Sequence, residues 1–309
     1  MAPAHAPDAP PAAPPRRVLV TGLRGFTGRY VQAALAQRGW EVCGLGEQTD
    51  LADSAALAHA VAQARPQAVI HLAAIAFVGH GNADTDADAF YRVNLLGTRH
   101  LLAVLAQLPQ PPTRVLLASS ANVYGNQTGG MLDESTPPQP ANDYAVSKLA
   151  MEHMARLWMA RLPITIVRPF NYTGVGQSAD FLLPKIVAHF QRRAATIELG
   201  NLDVWRDFSD VRAVADAYGR LLDAPAAAAV GATVNLCSGQ SHSLRDIITM
   251  AQDITGHRID VQVNPAFVRA NEVKTLLGNP AQLHALIGAD WASPPLHDTL
   301  RWMLQAPAP

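Results

Sequence analysis

RVLVTGLRGFTGRYVQAALAQRG, residues 17–39, decides the architecture. RVLVTG is a short apolar run ending in glycine, the pattern of a strand buried on both faces. An amphipathic helix follows from about Phe26 to Gln37 and is closed by Gly39. Gly22, Gly25 and Gly28 fall between strand and helix. Glycine permits a tight turn and close backbone approach. The helix start offers free N–H groups and a positive dipole end to a pyrophosphate. The stretch therefore predicts dinucleotide binding, with a merely structural turn as the competing reading. Its candidate cofactor residues are Gly22, Arg24, Gly25, Phe26, Thr27 and Gly28.

Working outward, EVCGL, AVIHLAA, RVLLASS and ITIVRP repeat the apolar strand pattern. Between them lie helical stretches at 54–64, with Asp53 or Ser54 as cap, at 89–107 and at 144–161. Alternating strands and helices with continuous Val/Ile/Leu strands mean a parallel sheet covered on both faces. After Pro169 the loops lengthen and Gly, Asn and Pro become frequent, with helices at 181–193, 211–223, 243–255 and 280–287. The expected fold is α/β: a Rossmann-type doubly wound parallel sheet with a smaller C-terminal α/β substrate lobe. The expected division is a dinucleotide-binding domain at 16–170 and 209–238 and a substrate domain at 171–208 and 239–306. Residues 1–15, almost all Ala and Pro, read as an extended, disordered tail and not a signal peptide.

The bulk numbers narrow the function. The chain has 309 residues, 49% hydrophobic, with a formal net charge of -1, which gives no electrostatic case for nucleic acid or an anionic membrane. No apolar run approaches the roughly 20 residues that span a bilayer. Two cysteines, Cys43 and Cys237, sit in or beside apolar strand-like runs and indicate neither a disulfide framework nor zinc, which fits a reducing cytoplasm.

Tyr144 and Lys148 stand four apart in DYAVSKLAMEHMARLW, so a helix puts them on one face. An ammonium beside a phenol lowers its pKa from about 10 and lets it exchange a proton near neutrality. Upstream, LLASSANVYG ends the fourth strand, and hydroxyls at that end of a parallel sheet point into the ligand crevice. A core tyrosine with a solvated lysine is the bland alternative. His71 reads as a structural strand residue, not an acid or base.

With Thr21 before it and Phe26 inside it, the Gly-x-x-Gly-x-x-Gly loop resembles that of the extended short-chain dehydrogenase/reductase family. The resemblance implies a catalytic serine four residues before the tyrosine of the VYG turn. That is Ser120, before Tyr124, acting with Tyr144 and Lys148. Asp50 and Leu51 resemble the family's adenine-contacting step. Leu72, Ala73 and Ala74 resemble the strand end that lies along the cofactor, and Asn94 the helix asparagine that helps fix the site. NAD-binding members commonly end the second strand with an acid. Here Gly46 stands about there and Glu47 is the nearest carboxylate. With Arg24 in the loop, this favours NADPH over NADH.

Within the family, RPFNYTGVGQ (168–177), LGNLDVWRDFSDVR (199–212), VNLCSGQ (234–240) and VNPAFVRANEVKTLLGN (263–279) resemble the GDP-4-keto-6-deoxy-D-mannose reductases, which form GDP-D-rhamnose. Ala270 and Lys274 depart from their pattern, standing where prolines are common. The resemblance implies a GDP-sugar substrate contacted by Ser120, Asn171, Lys185, Arg206, Arg269 and Glu272. It also implies a homodimer formed through two helices per subunit. Dehydratases of the family carry a carboxylate two or three residues before the VYG tyrosine. Here Ala121 and Asn122 stand there, and neither is a general acid or base. Reduction of a 4-keto sugar is the expected reaction, possible also for a heptose analogue. A sugar-nucleotide epimerase or 4,6-dehydratase with tightly held NAD, or a non-catalytic dinucleotide sensor, stays open.

Overall fold

A computed structural model describes residues 16–46, 49–76, 87–127, 130–267 and 274–307. The expected tail at 1–15, Glu47, Arg269 and Glu272 lie outside the described residues.

The first strand, β1 (Arg16–Thr21), pairs in parallel with β2 (Trp40–Cys43) on one side and β3 (Ala68–His71) on the other. Then come β4 (Arg114–Ala118), β5 (Ile164–Pro169) and β9 (Thr233–Leu236), giving the order β2-β1-β3-β4-β5-β9. Side chains alternate across this sheet. Val18, Val20, Ile70, Leu116 and Val167 join one core, against α1 (Phe26–Gln37) and α7 (Val211–Asp223). Leu19, Val69, Val115, Leu117 and Ile166 join the other, against α2 (Ser54–Ala64), α4 (Thr98–Leu105) and α5 (Asp143–Arg156). A sheet apolar on both faces must be covered on both, which makes the fold doubly wound. The strand order reverses between β1 and β3, and the crevice beyond their carboxyl ends is where such sheets bind ligands.

The expected helix at 89–107 has an interruption. α3 (Ala87–Phe90) runs into a π-helical turn at Tyr91–Gly97 before α4 begins. Such turns carry an extra residue and gather at functional sites. The helix expected at 144–161 begins at Asp143, capped by the Asn142 side chain, and ends at Arg156. Beyond it the Leu157 and Trp158 amides bond three residues back and tighten the chain.

A second core gathers Leu183, Ile186, Val187 and Phe190 of α6 (Leu182–Gln191), Leu244, Ile247 and Ile248 of α9 (Leu244–Thr255), and Leu300 and Met303 of α11 (Leu296–Gln305). Its strands are short. β8 (Trp205–Asp210) pairs with β6 (Asn171–Thr173), β10 (Ser241–Ser243) and β12 (Thr275–Leu276), while β7 (Thr196–Leu199) pairs with β11 (Asp260–Val263). α8 (Ala226–Ala229) leads back into β9, and α10 (Ala281–Ile287) packs against α7 and β9. Among the described residues, no helix is long and apolar enough to cross a membrane.

Candidate active site

The glycine turn is shaped by contacts that exclude side chains. Gly22 has φ +71, and a Cβ there would stand 3.0 Å from the Ala73 amide nitrogen. A Cβ on Gly28 would fall 2.3 Å from the Gly22 carbonyl oxygen. The turn is thus a bare backbone cradle at the start of α1, the shape a pyrophosphate requires. It opens onto a crevice of about 930 Å³, lined on this side by Gly22, Gly25, Phe26, Thr27, Gly28, Leu72, Ala73 and Ala74.

Thr21 and His71, end residues of neighbouring strands, align the floor of this crevice. The Thr98 hydroxyl donates to the Asn94 carbonyl at 2.8 Å, so its oxygen accepts from His71 Nε2 at 2.8 Å. His71 Nδ1 is then an acceptor and receives a hydrogen bond from the Thr21 hydroxyl at 2.7 Å. Thr21 Oγ1 in turn accepts from the Ala73 amide at 3.1 Å. Every proton has one direction, which fixes a neutral imidazole. Burial, followed by the charge of Lys148, pushes its pKa down to about 3. His71 is structural, as its sequence context suggests.

Three side chains meet at the far wall. Ser120 caps the 3₁₀ turn Ala121–Tyr124, its Oγ accepting from the Asn122 amide at 3.2 Å. It also hydrogen-bonds the Tyr144 phenol. Lys148, one turn along α5 from Tyr144, donates from Nζ to the Ala118 carbonyl at 2.8 Å. All three line the crevice opposite the glycine turn. The sequence reading expects Lys148 to lower the phenol pKa. In the structure burial outweighs the Ser120 hydrogen bond and holds Tyr144 up at about 12, while Lys148 is turned to a main-chain carbonyl. Burial brings Lys148 itself down to about 8, opposed by the Glu152 charge. The resting site thus holds a protonated phenol, which can give a proton but must be activated before it can take one.

The neighbouring Ser119 has another task. Its hydroxyl donates to Glu152 at 2.6 Å, and Glu152 is held by Arg168 through bonds of 2.8 and 2.6 Å. Arg168 also donates to the Tyr124 phenol at 3.0 Å, which donates to Asn235 at 2.7 Å. This buried network ties α5 to the ends of β4, β5 and β9. Sequence reading missed it. Its visible signal was a glutamate one turn beyond Lys148 and an arginine ending an otherwise apolar strand.

The other expected residues are placed differently from one another. Asn171 and Arg206 line the crevice, with Arg206 Nη1 donating to the Trp205 carbonyl at 2.9 Å. Asn94 stands behind the wall: fully buried, it bonds the Ile75 amide and carbonyl and the Ser147 hydroxyl. Leu51 packs in the core and Asp50 accepts from the Ala52 amide, while Asp53 caps α2. Lys185 bonds the Glu198 carbonyl at 2.9 Å and lies over the Phe267 ring, and that ring lines the crevice. Arg24 is an exposed residue of the glycine turn.

Sequence reading also missed Tyr172, between Asn171 and Gly174 in the quoted motif. Its hydroxyl and that of Thr27 are 2.8 Å apart, and its ring stacks on Phe26 at 6.2 Å and 8°. Phe26 meets Tyr30 edge-on at 5.6 Å, and Tyr30 meets Trp302 of α11 at 6.2 Å. An aromatic series therefore joins the helix of the glycine turn to the second core.

Comparison with known proteins agrees with this geometry. The profile of the NAD dependent epimerase/dehydratase family matches residues 18–237. The chain is similar to GDP-6-deoxy-D-talose 4-dehydrogenase of Aggregatibacter actinomycetemcomitans, 36% identical over 89% of this chain and 92% of that one. It is also 36% identical to GDP-6-deoxy-D-mannose reductase of Pseudomonas aeruginosa, over 88% of this chain and 91% of the relative. Among solved structures, RMD from Pseudomonas aeruginosa complexed with NADPH matches with a TM-score of 0.84 at 33% identity, covering 94% of this chain and 96% of that one. A crystal structure from Burkholderia cenocepacia J2315, named for an epimerase, gives a TM-score of 0.87 at 51% identity, covering 94% and 97%. With its bare glycine cradle and its serine, tyrosine and lysine facing one crevice, the chain belongs to the NAD dependent epimerase/dehydratase family and is an NAD(P)-dependent enzyme of the extended short-chain dehydrogenase/reductase type.

Proposed function

We propose that the protein reduces the 4-keto group of a GDP-4-keto-6-deoxy sugar, GDP-4-keto-6-deoxy-D-mannose or a close analogue such as the heptose. The observation that carries this reading is the placement of Ser120, Tyr144 and Lys148 across one crevice from the glycine cradle. The similarity to a GDP-6-deoxy-D-mannose reductase and a GDP-6-deoxy-D-talose 4-dehydrogenase supports the sugar and the nucleotide. NADPH is the proposed cofactor, on the exposed Arg24 and the NADPH complex of the Pseudomonas relative. When bound, it supplies the hydride. A substrate carbonyl oxygen set between Ser120 and Tyr144 accepts the serine hydrogen bond, which stabilises charge as it develops there. Tyr144, held protonated by burial, gives that oxygen its proton. The Lys148 ammonium holds the nicotinamide ribose and favours the resulting phenolate.

In this reading residues 16–170 with 209–238 hold the dinucleotide, and 171–208 with 239–306 hold the sugar nucleotide. Arg206 and Arg269 serve the diphosphate, Asn171 a phosphate or the sugar, and Glu272 the ribose hydroxyls or guanine N–H groups. Asp180 is the one carboxylate among the described residues lining the crevice. Asn122 lines it as a neutral amide, which favours reduction over elimination. Leu96 and Val146, exposed on adjoining helices, are the proposed homodimer face.

The test is a panel of GDP-, dTDP- and UDP-4-keto-6-deoxy sugars with NADPH and NADH, followed at 340 nm with NMR of the product. One NADPH consumed per GDP-sugar reduced is expected. Turnover without net NADPH consumption would replace the reading with an epimerase using tightly held NAD.

A further inference from the structure

We infer that Tyr172 couples the two ligand sites, so that dinucleotide and nucleotide sugar each bind more tightly when the other is present. The inference rests on the proposed reading that the glycine turn holds the dinucleotide and that β6 faces the nucleotide sugar. It adds a positioning role for a residue that itself lines the crevice between the two proposed sites.

The start of α1 and the segment after β5 are fastened at several points. Tyr172 stacks on Phe26 and shares a 2.8 Å hydrogen bond with Thr27. One turn on, the Tyr30 hydroxyl donates to the Val175 carbonyl at 2.7 Å. Arg29 reaches the Gly176 carbonyl at 3.4 Å. Phe26 and Thr27 line the crevice on the cradle side, and Asn171 and Gln177, flanking these contacts, line it on the other. Gln177 is itself fixed to the segment, donating to the Tyr172 carbonyl at 3.2 Å. Whatever orders Phe26 and Thr27 orders the surface on which Tyr172 rests, and Tyr172 adjoins Asn171 directly. A first ligand that immobilises this unit leaves less conformational freedom for the second to remove, which is positive coupling between sites. The coupling is reciprocal by linkage.

The experiment uses the full chain, with NADPH fluorescence titrated with and without saturating GDP, and GDP titrated by calorimetry with and without saturating NADPH. In wild type each ligand should tighten the other by about fivefold or more, by the same factor both ways. Tyr172→Phe keeps the ring and removes the hydroxyl, and should bring that factor to within about twofold of one. Thr27→Val removes the other hydroxyl, leaves the ring stack, and should do the same. The double variant should lose no more than either single one, as for two halves of one bond. Hydrogen exchange gives a readout without the second ligand: NADPH alone should protect amides 171–177 in wild type and less so in Tyr172→Phe. A wild-type factor near one, or wild-type coupling kept in both variants, would overturn the inference and leave the reductase reading intact. Coupling seen with UDP or dTDP in place of GDP would uphold the inference and overturn the guanine assignment.

Discussion

The Lys148 ammonium is bonded to the main-chain carbonyl of Ala118 at 2.8 Å and thereby joins α5 to the strand end that carries Ser120. In the described structure the lysine thus aligns the site while the phenol stays protonated.

Tyr144→Phe removes the proposed proton donor and leaves the ring in place against Phe90, 5.8 Å away. Reduction of the keto sugar, followed at 340 nm, should fall about 10²–10⁴-fold. NADPH affinity by fluorescence should change by no more than a few-fold. Full activity in this variant would remove Tyr144 from the chemistry.

Adjacent serines should separate cleanly. Ser120→Ala, facing the crevice and bonded to Tyr144, should lower kcat about 10²–10³-fold with little change in Tm. Ser119→Ala deletes a bond to a buried carboxylate and should cost about 1.5–3 kcal/mol of stability, with the greater part of kcat retained. Denaturant unfolding and initial rates on both proteins measure the contrast. The reverse pattern would exchange the two roles.

Two buried bases set opposite pH limits. Lys148 has its pKa lowered to about 8, so kcat/KM should decline as pH rises through 8 and the ammonium is lost. His71 has a folded pKa of about 3, below its unfolded value of about 6.5. The unfolded chain then binds more protons between these values, so stability should fall as pH drops from about 6.5 towards 3. His71→Gln should flatten that acid slope in chemical denaturation and leave the alkaline limb of the rate profile where it was.

Gly28→Ala places a methyl within 2.3 Å of the Gly22 carbonyl and 2.5 Å of the Leu23 carbonyl, both main-chain atoms with no free side chain to yield. The cradle must open. NADPH affinity should drop at least about tenfold, an effect of about 1.4 kcal/mol. Gly231→Ala is the control for glycine replacement: nothing lies within 4 Å of a Cβ there, though its φ is +84, so it should cost stability and not cofactor affinity.

Arg168→Met leaves Glu152 buried with its bidentate partner gone and should destabilise the fold by about 3–5 kcal/mol. Pairing it with Glu152→Met should restore much of that loss. A single variant as stable as wild type would mean that the carboxylate finds water or is protonated without cost.

Much of this was legible because local chemistry and global packing agree. The helix at 26–37 and the helices at 54–64 and 211–223 have in the structure the bounds their patterns suggest. In each, glycine, a capping aspartate or a continuous apolar stripe marks the limits. The Tyr144 and Lys148 pair was visible because helical period alone places both on one face. What depends on distant chain was hidden. Nothing local in DAFYRVNLLG announces a π turn, since Asn94 is drawn into it by Ile75 and Ser147. The phenol pKa was misjudged because burial is a property of the assembled wall. Tyr172 passed unnoticed because its partners lie 145 residues away in sequence. The contacts of Lys185, over the Phe267 ring and on the Glu198 carbonyl, also join segments far apart in sequence and were hidden for the same reason.

The π turn at Tyr91–Gly97 has a consequence for how this site can change over time. It stores one residue more than a regular helix of the same span. Losing that residue would let α3 run smoothly into α4 with Leu101, Leu102 and Leu105 still facing inward. Only the outward swing that presents the Asn94 amide would disappear. Chain length at this point is therefore an adjustment separate from side-chain identity: one codon gained or lost resets the backing of the catalytic wall and spares the core.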